Sequence, residues 1–165
     1  MRLSQRLAQS ALVIALYVVL TAINPASSGA IQVRLSTGLY CLAAFRPDFI
    51  PALALGNGLA NLLVGQGPLD AVLGLVVGLF TSTATYLIGK TGKAWLVPLP
   101  VALVVPPLVA TWLSLLLHLP YRVIFLSLLA GQVIAAATAG SLVTYVGLRL
   151  FGPLGRTPAQ PDPLK

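Results

Sequence analysis

The sequence predicts an all-α fold: an integral membrane bundle of six transmembrane helices with N- and C-termini cytoplasmic. Three observations predict it. Hydrophobic residues make up 58% of the 165 positions and charged residues 8%, and the mean hydropathy of +0.95 lies outside the range of a water-solvated domain. The apolar residues fall into six runs, most of them near the roughly 20 residues that cross the hydrocarbon core as a helix. The basic residues are unevenly divided between alternate connections, as in chains whose Lys- and Arg-bearing loops stay inside.

The six runs are 6–23, 35–46, 48–64, 69–88, 95–118 and 121–151. The first is uninterrupted after Arg6. Its opening Met-Arg-Leu-Ser-Gln-Arg and the small residues Ala26 to Ala30 also resemble a signal peptide, but the run exceeds the 7 to 15 apolar residues of such a signal and five more follow. The second run is too short to span alone. The third begins beside Asp48 and the fourth follows the turn Gly65-Gln-Gly-Pro-Leu-Asp70, where Asp70 fits a first-turn acid favoured by the helix dipole. The fifth carries Pro98, Pro100, Pro106 and Pro107, which predict a kinked or opened segment around Val105 to Leu108. Broken membrane helices persist where freed carbonyls find partners, often beside a cavity. The sixth run is longer than a span requires. Residues 1–151 therefore read as one six-helix membrane domain, and 152–165, with four prolines and no apolar period, as a disordered cytoplasmic tail.

With six helices and a cytoplasmic N-terminus, the inner side holds Arg2, Arg6, Arg46, Lys90, Lys93, Arg149, Arg156 and Lys165, and the outer side only Arg34 and Arg122. Arg34, inside Gly29-Ala-Ile-Gln-Val-Arg-Leu-Ser-Thr-Gly-Leu39, is the exception that needs a reason.

Several functions are excluded. The net charge of +7 reflects a shortage of acids, three against ten basic residues; the bases are scattered between apolar runs, unlike a nucleic-acid face. Cys41 and His118 are each alone in the sequence, so no thiolate or histidine cluster can hold a metal within one chain, and no cofactor is expected. There is no His-Glu-x-x-His, no Gly-x-Ser-x-Gly and no paired carboxylate, so an enzyme is not expected. Gly89-Lys90-Thr91 has the end of a phosphate-binding loop, yet Ala84 stands where that loop needs glycine, and a polar turn is the better reading. Transport driven by ATP would need another subunit to supply the ATPase.

Polar and small residues carry the remaining information. Asn57, Asn61, Thr81, Thr83, Thr85, Gln132 and Thr138 lie deepest within the runs, where polar groups are costly and usually face a cavity or a partner helix. Asn61 and Gln132 stand out, because an amide can both donate to and accept from a flat polar ligand; interhelical hydrogen bonding is the plain alternative. Small residues recur four apart at Ala11 and Ala15, at Ala52, Gly56 and Ala60, at Gly74, Gly78 and Ser82, and at Gly131, Ala135 and Ala139. Such faces let helices approach closely, within the bundle or against another membrane protein. Arg34, with its planar fork, can pair with Asp70 or read carbonyl acceptors, or can simply snorkel to the interface.

These residues carry a resemblance. Ala-Leu-Tyr-Val-Val-Leu-Thr (15–21), Ile-Gln-Val-Arg-Leu-Ser (31–36), and Ala60-Asn-Leu-Leu followed by Gly-Pro-Leu-Asp-Ala-Val-Leu-Gly (67–74) are similar to the substrate-binding S component of an energy-coupling factor transporter, of the QueT type proposed to import queuosine precursors. The similarity is strong over 11–88; beyond that, helix number and Gly131-Gln132 agree. It implies a bacterial cytoplasmic-membrane protein that binds a small vitamin-like solute from outside and associates, in membrane lipid, with a transmembrane coupling protein and two cytoplasmic ATPases. It implies that Ala11 and Ala15 match the first-helix motif that meets the coupling protein, and that Gln32 and Arg34 form part of a lid over the outer pocket. The expected solute contacts are Gln32, Arg34, Asn61, Asp70 and Gln132, with Tyr40, Trp112 or Tyr121 as stacking surfaces. The family pattern commonly has Glu where this chain has Thr37, and Gly-Glu where it has Gly131-Gln132. Lacking those carboxylates, the chain fits a neutral precursor such as the nitrile deazaguanine, or a different vitamin-like solute, better than the aminomethyl cation. The alternatives are a solitary carrier or channel that needs no ATPase, and an accessory structural subunit.

Overall fold

A computed structural model describes residues 3–27, 32–65 and 67–155. The expected signal-cleavage region and the turn before the fourth run fall partly outside these residues, and the expected tail is described only as far as Gly155. Every described element is helical. In chain order they are α1 (Leu3–Ala22), a 3-10 segment (Leu35–Ala44), α2 (Phe49–Val64), α3 (Pro68–Gly89), a short 3-10 turn (Ala94–Leu96), α4 (Leu99–Leu103), α5 (Val105–Leu117), α6 (Tyr121–Ala135), a π-helical turn (Ala136–Gly140) and α7 (Ser141–Phe151). Among the described residues four runs are long and apolar enough to cross a membrane, namely Leu3–Ala22, Pro68–Gly89, Ala94–Leu117 and Tyr121–Phe151; Leu35–Ala44 and Phe49–Val64 are shorter. The architecture is that of a multi-pass membrane bundle, with each of the six apolar runs forming a helical segment.

The second run sits at the centre. Eight of its ten residues are buried, among them Tyr40 and Cys41, and it packs on α1, α2, α3, α6, α7 and the π turn. A 3-10 helix rises about 2.0 Å per residue, so ten residues reach about 20 Å, against about 15 Å as an α-helix. The stretched form thus gives a short run more reach. Where it crosses the sixth run, Gly38 lies against Ala139 and Gly140, and a Cβ at Gly38 would stand 2.7 Å from the Gly140 nitrogen. The π turn of the sixth run coincides with this crossing.

α2 and α3 form an antiparallel hairpin whose small residues set its closeness: a Cβ at Gly78 would stand 2.7 Å from the Ala54 Cα. On α2, Gly56 faces Tyr17 of α1. The fifth run breaks at Val104, directly before Val105-Pro106-Pro107, because the second helix can take prolines in its first turn but not in its interior. α5 then ends at His118, whose left-handed φ of 53° caps the helix; His118 is exposed.

One end of the bundle gathers the charged turns. Arg46 binds Gln9 of α1 and Asp48, lies over the Phe49 and Phe151 rings, and Gly89 abuts Ala44. α1 therefore begins at the end where α7 finishes. The C-terminus of α2, the N-terminus of α3 and the Arg34 region lie at the opposite end.

Candidate functional site

At that opposite end a small polar cavity lies between the 3-10 segment, α2, α3, α5 and α6. Gln32, Arg34, Asn61, Asp70 and Gln132, the five residues expected to contact a solute, all line it, together with Thr37, Tyr40, Asn57 and Trp112. Its volume is about 20 Å³, room for about one water.

Arg34 organises the wall. It sits in extended backbone just before the 3-10 segment and is buried. Its Nε donates to the Ser27 carbonyl at 2.9 Å, and its Nη1 donates to Asn61 Oδ1 at 2.7 Å and Asn57 Oδ1 at 3.2 Å. The asparagines are one helical turn apart on α2, so both amides reach one guanidinium. Their nitrogens continue inward, Asn57 Nδ2 to the Gly74 carbonyl at 2.6 Å and Asn61 Nδ2 to the Asp70 carbonyl at 3.1 Å. A Cβ at Gly74 would run into the Asn61 amide, so glycine there lets α2 and α3 share these bonds. A buried cation is tolerated where fixed oxygens solvate it, and here neutral carbonyl dipoles do so.

Asp70 is also buried, in the first turn of α3, and Oδ1 accepts the Trp112 indole N–H at 3.0 Å. The expected choice for Arg34 thus resolves toward carbonyl acceptors, while Asp70 holds the aromatic wall from α5. The charged residues lining the cavity are Arg34 and Asp70, so the lining is neutral overall. Opposite, Thr37 Oγ1 lies 2.7 Å from Gln132 Oε1, tying the 3-10 segment to α6. A Cβ at Gly131 would collide with the Gln32 carbonyl, which is how the extended stretch before the 3-10 segment lies flat on α6. The broken fifth run supplies Val105 and Val109.

Of the three aromatic residues expected as stacking surfaces, Tyr40 and Trp112 line the cavity. Tyr121 does not: it is 43% exposed and stacks on Phe125, because it starts α6 and points away from the bundle axis. Thr138, expected to face a cavity or partner helix, is exposed and bonds back to the Ile134 carbonyl. Ala11 and Ala15 are both exposed on α1, whereas Ala52, Gly56, Ala60, Gly74, Gly78, Ser82, Gly131 and Ala135 are buried.

Compared with known families, residues 7–147 match the model of the family described as QueT transporter. The chain belongs to the QueT transporter family. The match begins in α1, ends in α7 and includes every residue lining the cavity, so the resemblance read from the motifs holds across nearly the whole bundle. A membrane transport protein follows from the family and from the long apolar helices together. No curated protein and no solved structure matches the chain.

Two lining residues outside the expected set were within reach of the sequence. Asn57 lies four before Asn61, on the same helical face, and was conspicuous only as a buried polar residue. Thr37 is three after Arg34 in an otherwise apolar run. Val77, Val105 and Val109 carry no signal in the sequence, since apolar walls differ from core only through tertiary position.

Proposed function

We propose that this chain is the substrate-binding S component of an ATP-driven energy-coupling factor importer in a bacterial cytoplasmic membrane, and that it captures a neutral queuosine precursor of the deazaguanine class from outside. The observation that carries this reading is the buried polar cavity at the Arg34 end of an otherwise apolar bundle. Buried polar groups within a membrane domain are costly and tend to mark solute paths. A lining of one cation, one carboxylate and several amides offers donors and acceptors to a flat heterocycle, with an indole and a phenol beside them.

In this reading the protein crosses the membrane six times with both ends inside, residues 1–151 form the membrane domain, and 152–165 form a cytoplasmic tail. Gln32, Arg34, Asn61, Asp70 and Gln132 hold the solute. The neutral lining disfavours an ammonium-bearing ligand, because transferring an unmatched charge from water is costly. A bicyclic ring does not fit a cavity of about 20 Å³, so entry requires a wall to part. The extended Gln32–Arg34 stretch and the proline-broken fifth run are the walls not built into the α2–α3 hairpin. Ala11 and Ala15 lie on the exposed face of α1 and serve as the docking surface for the transmembrane coupling protein, which brings two cytoplasmic ATPases.

The test is calorimetric titration of the purified protein with nitrile and aminomethyl deazaguanines, queuine, guanine and a set of water-soluble vitamins. Saturable binding of the nitrile form, tighter than of the aminomethyl form, is the expected result. Binding of a vitamin alone would discard the substrate class and keep the site. Uptake that persists in cells lacking the coupling protein would replace the importer by a solitary carrier.

A further inference from the structure

Thr37 makes two short contacts that one hydroxyl cannot satisfy as they stand. Its Oγ1 lies 2.6 Å from the Arg34 backbone oxygen and 2.7 Å from Gln132 Oε1. A hydroxyl carries one proton. With both neighbours as acceptors, one contact would set lone pairs face to face. The peptide oxygen cannot change its nature, but a carboxamide can exchange its oxygen and nitrogen by a half turn that leaves its shape unaltered. After that turn the Gln132 amino group donates to Thr37 Oγ1, Thr37 donates to the Arg34 carbonyl, and both contacts are satisfied.

The turn decides what the cavity meets. Gln132 lines the cavity with one end of its amide on Thr37, and the other end is not among the buried polar atoms that lack a partner among the described residues, the hydroxyls of Thr81 and Ser127; we take that other end to face the cavity. Asn57 and Asn61, by contrast, have both amide ends engaged, the oxygens by Arg34 and the nitrogens by the Gly74 and Asp70 carbonyls. Gln132 thus keeps an amide end for a solute where the two asparagines do not. We propose that Thr37 is a positioning residue that locks the Gln132 carboxamide with its oxygen facing the cavity, so that position 132 selects solutes presenting an N–H there. The proposal rests on the cavity being the solute site. The ligand class is a neutral planar heterocycle with a lactam or amino N–H directed at α6.

The lock is anchored in backbone on one side only. Thr37 donates to the carbonyl of Arg34, the residue that organises the opposite wall, so the hydrogen-bond chain runs from Gln132 through Thr37 to the peptide of Arg34. Loss of the Thr37 hydroxyl frees the amide to turn either end to the solute and removes selection at that point.

The experiment measures affinity of the full-length protein in lipid nanodiscs for the nitrile deazaguanine, for its analogue methylated on the lactam nitrogen, and for its analogue lacking the exocyclic amino group. Wild type is expected to bind the parent at least about tenfold more tightly than one of the analogues, the loss for an unpaired buried acceptor. Thr37→Val, close in shape, should bring that ratio to within about threefold, while Thr37→Ser restores it. A Thr37→Val protein that discriminates like wild type overturns the proposal. Arg34→Ala separates the two levels. If it leaves the parent's affinity unchanged the cavity itself is not the site, whereas loss of binding there with unaltered selectivity in Thr37→Val sinks only the lock.

Discussion

Two hollows in this bundle differ in nearly every respect. The polar cavity at the Arg34 end encloses about 20 Å³. An apolar groove between α1, the 3-10 segment and α7 is twenty times larger, about 410 Å³, lined by residues such as Leu12, Val13, Leu16, Leu142 and Val143. In a water-soluble protein the larger apolar hollow would be the default ligand site. In a membrane it is not, because lipid tails fill apolar relief at no hydrophobic cost. What lipid cannot replace is a set of buried amides, a guanidinium and a carboxylate, so polarity rather than volume marks the proposed solute site.

The same contrast separates the two arginines that belong to these regions. Arg34 has its guanidinium on neutral oxygens inside the cavity. Arg46 lies at the charged end of the bundle, paired with Asp48 and covering Phe49 and Phe151, which line the groove. The first guanidinium organises a wall; the second fastens a helix end.

The largest effect that would sharpen this comparison concerns the outer face of α1, which borders the groove. Ala11→Trp and Ala15→Trp place bulky rings on an exposed small-residue face; co-purification with the coupling protein should be lost, while affinity for the deazaguanine changes less than about twofold, since neither position touches the cavity. Filling the groove by Val143→Trp should likewise spare solute binding. Loss of solute binding in Val143→Trp would place the site in the groove and break the comparison.

Next in size is Arg34→Ala. It removes the guanidinium that meets the solute in the proposed site, where one charge-assisted hydrogen bond is worth about 1.5–3 kcal/mol, so affinity should fall by about ten- to a hundredfold. The orphaned Asn57, Asn61 and Ser27 oxygens should lower the melting temperature by a few degrees without abolishing the fold. Arg34→Lys keeps the charge and loses the fork, and should recover little of the binding. Full recovery with lysine would mean that charge alone, rather than the planar geometry shared by the two asparagines, is what matters.

How much of this was legible in the sequence follows from the same physics. Hydrophobic runs report burial in lipid plus protein, so the six segments could be placed to within a few residues. Arg34 could be singled out because it breaks the charge bias, and Asn61, Asp70 and Gln132 because polar groups among apolar ones need a reason. The 3-10 form of the second run and the π turn at Ala136–Gly140 were not legible, since the crossing at Gly38 where the two meet is a matter of tertiary position. Nor was the division of labour between Asp70 and Arg34: which acceptor a guanidinium takes depends on helix positions that composition does not encode. Tyr121 misled for the same reason, as an aromatic at a helix start can face either way.

The smallest effect tests the fastening arginine. Asp48, which directly precedes α2 and lies outside that helix, has its carboxyl held below its ordinary value, chiefly by the Arg46 hydrogen bond, with burial opposing and Arg6 adding a minor attraction. A folded-state value below the unfolded one contributes stability above the unfolded value near 3.9, and that contribution is lost as pH falls through the folded value. The pair is partly exposed, so screening limits its worth to about 0–1 kcal/mol. Asp48→Asn should therefore lower the melting temperature by at most a few degrees at pH 7, flatten the acid limb below about pH 4, and leave solute affinity unchanged. The melting-temperature profile of the purified protein from pH 3 to 7 checks it. A change in solute affinity would show that the two ends of the bundle are coupled, contrary to the separation drawn between cavity and groove; an unchanged acid limb would assign the fastening of this end to the Arg46 stacking on Phe49 and Phe151 instead.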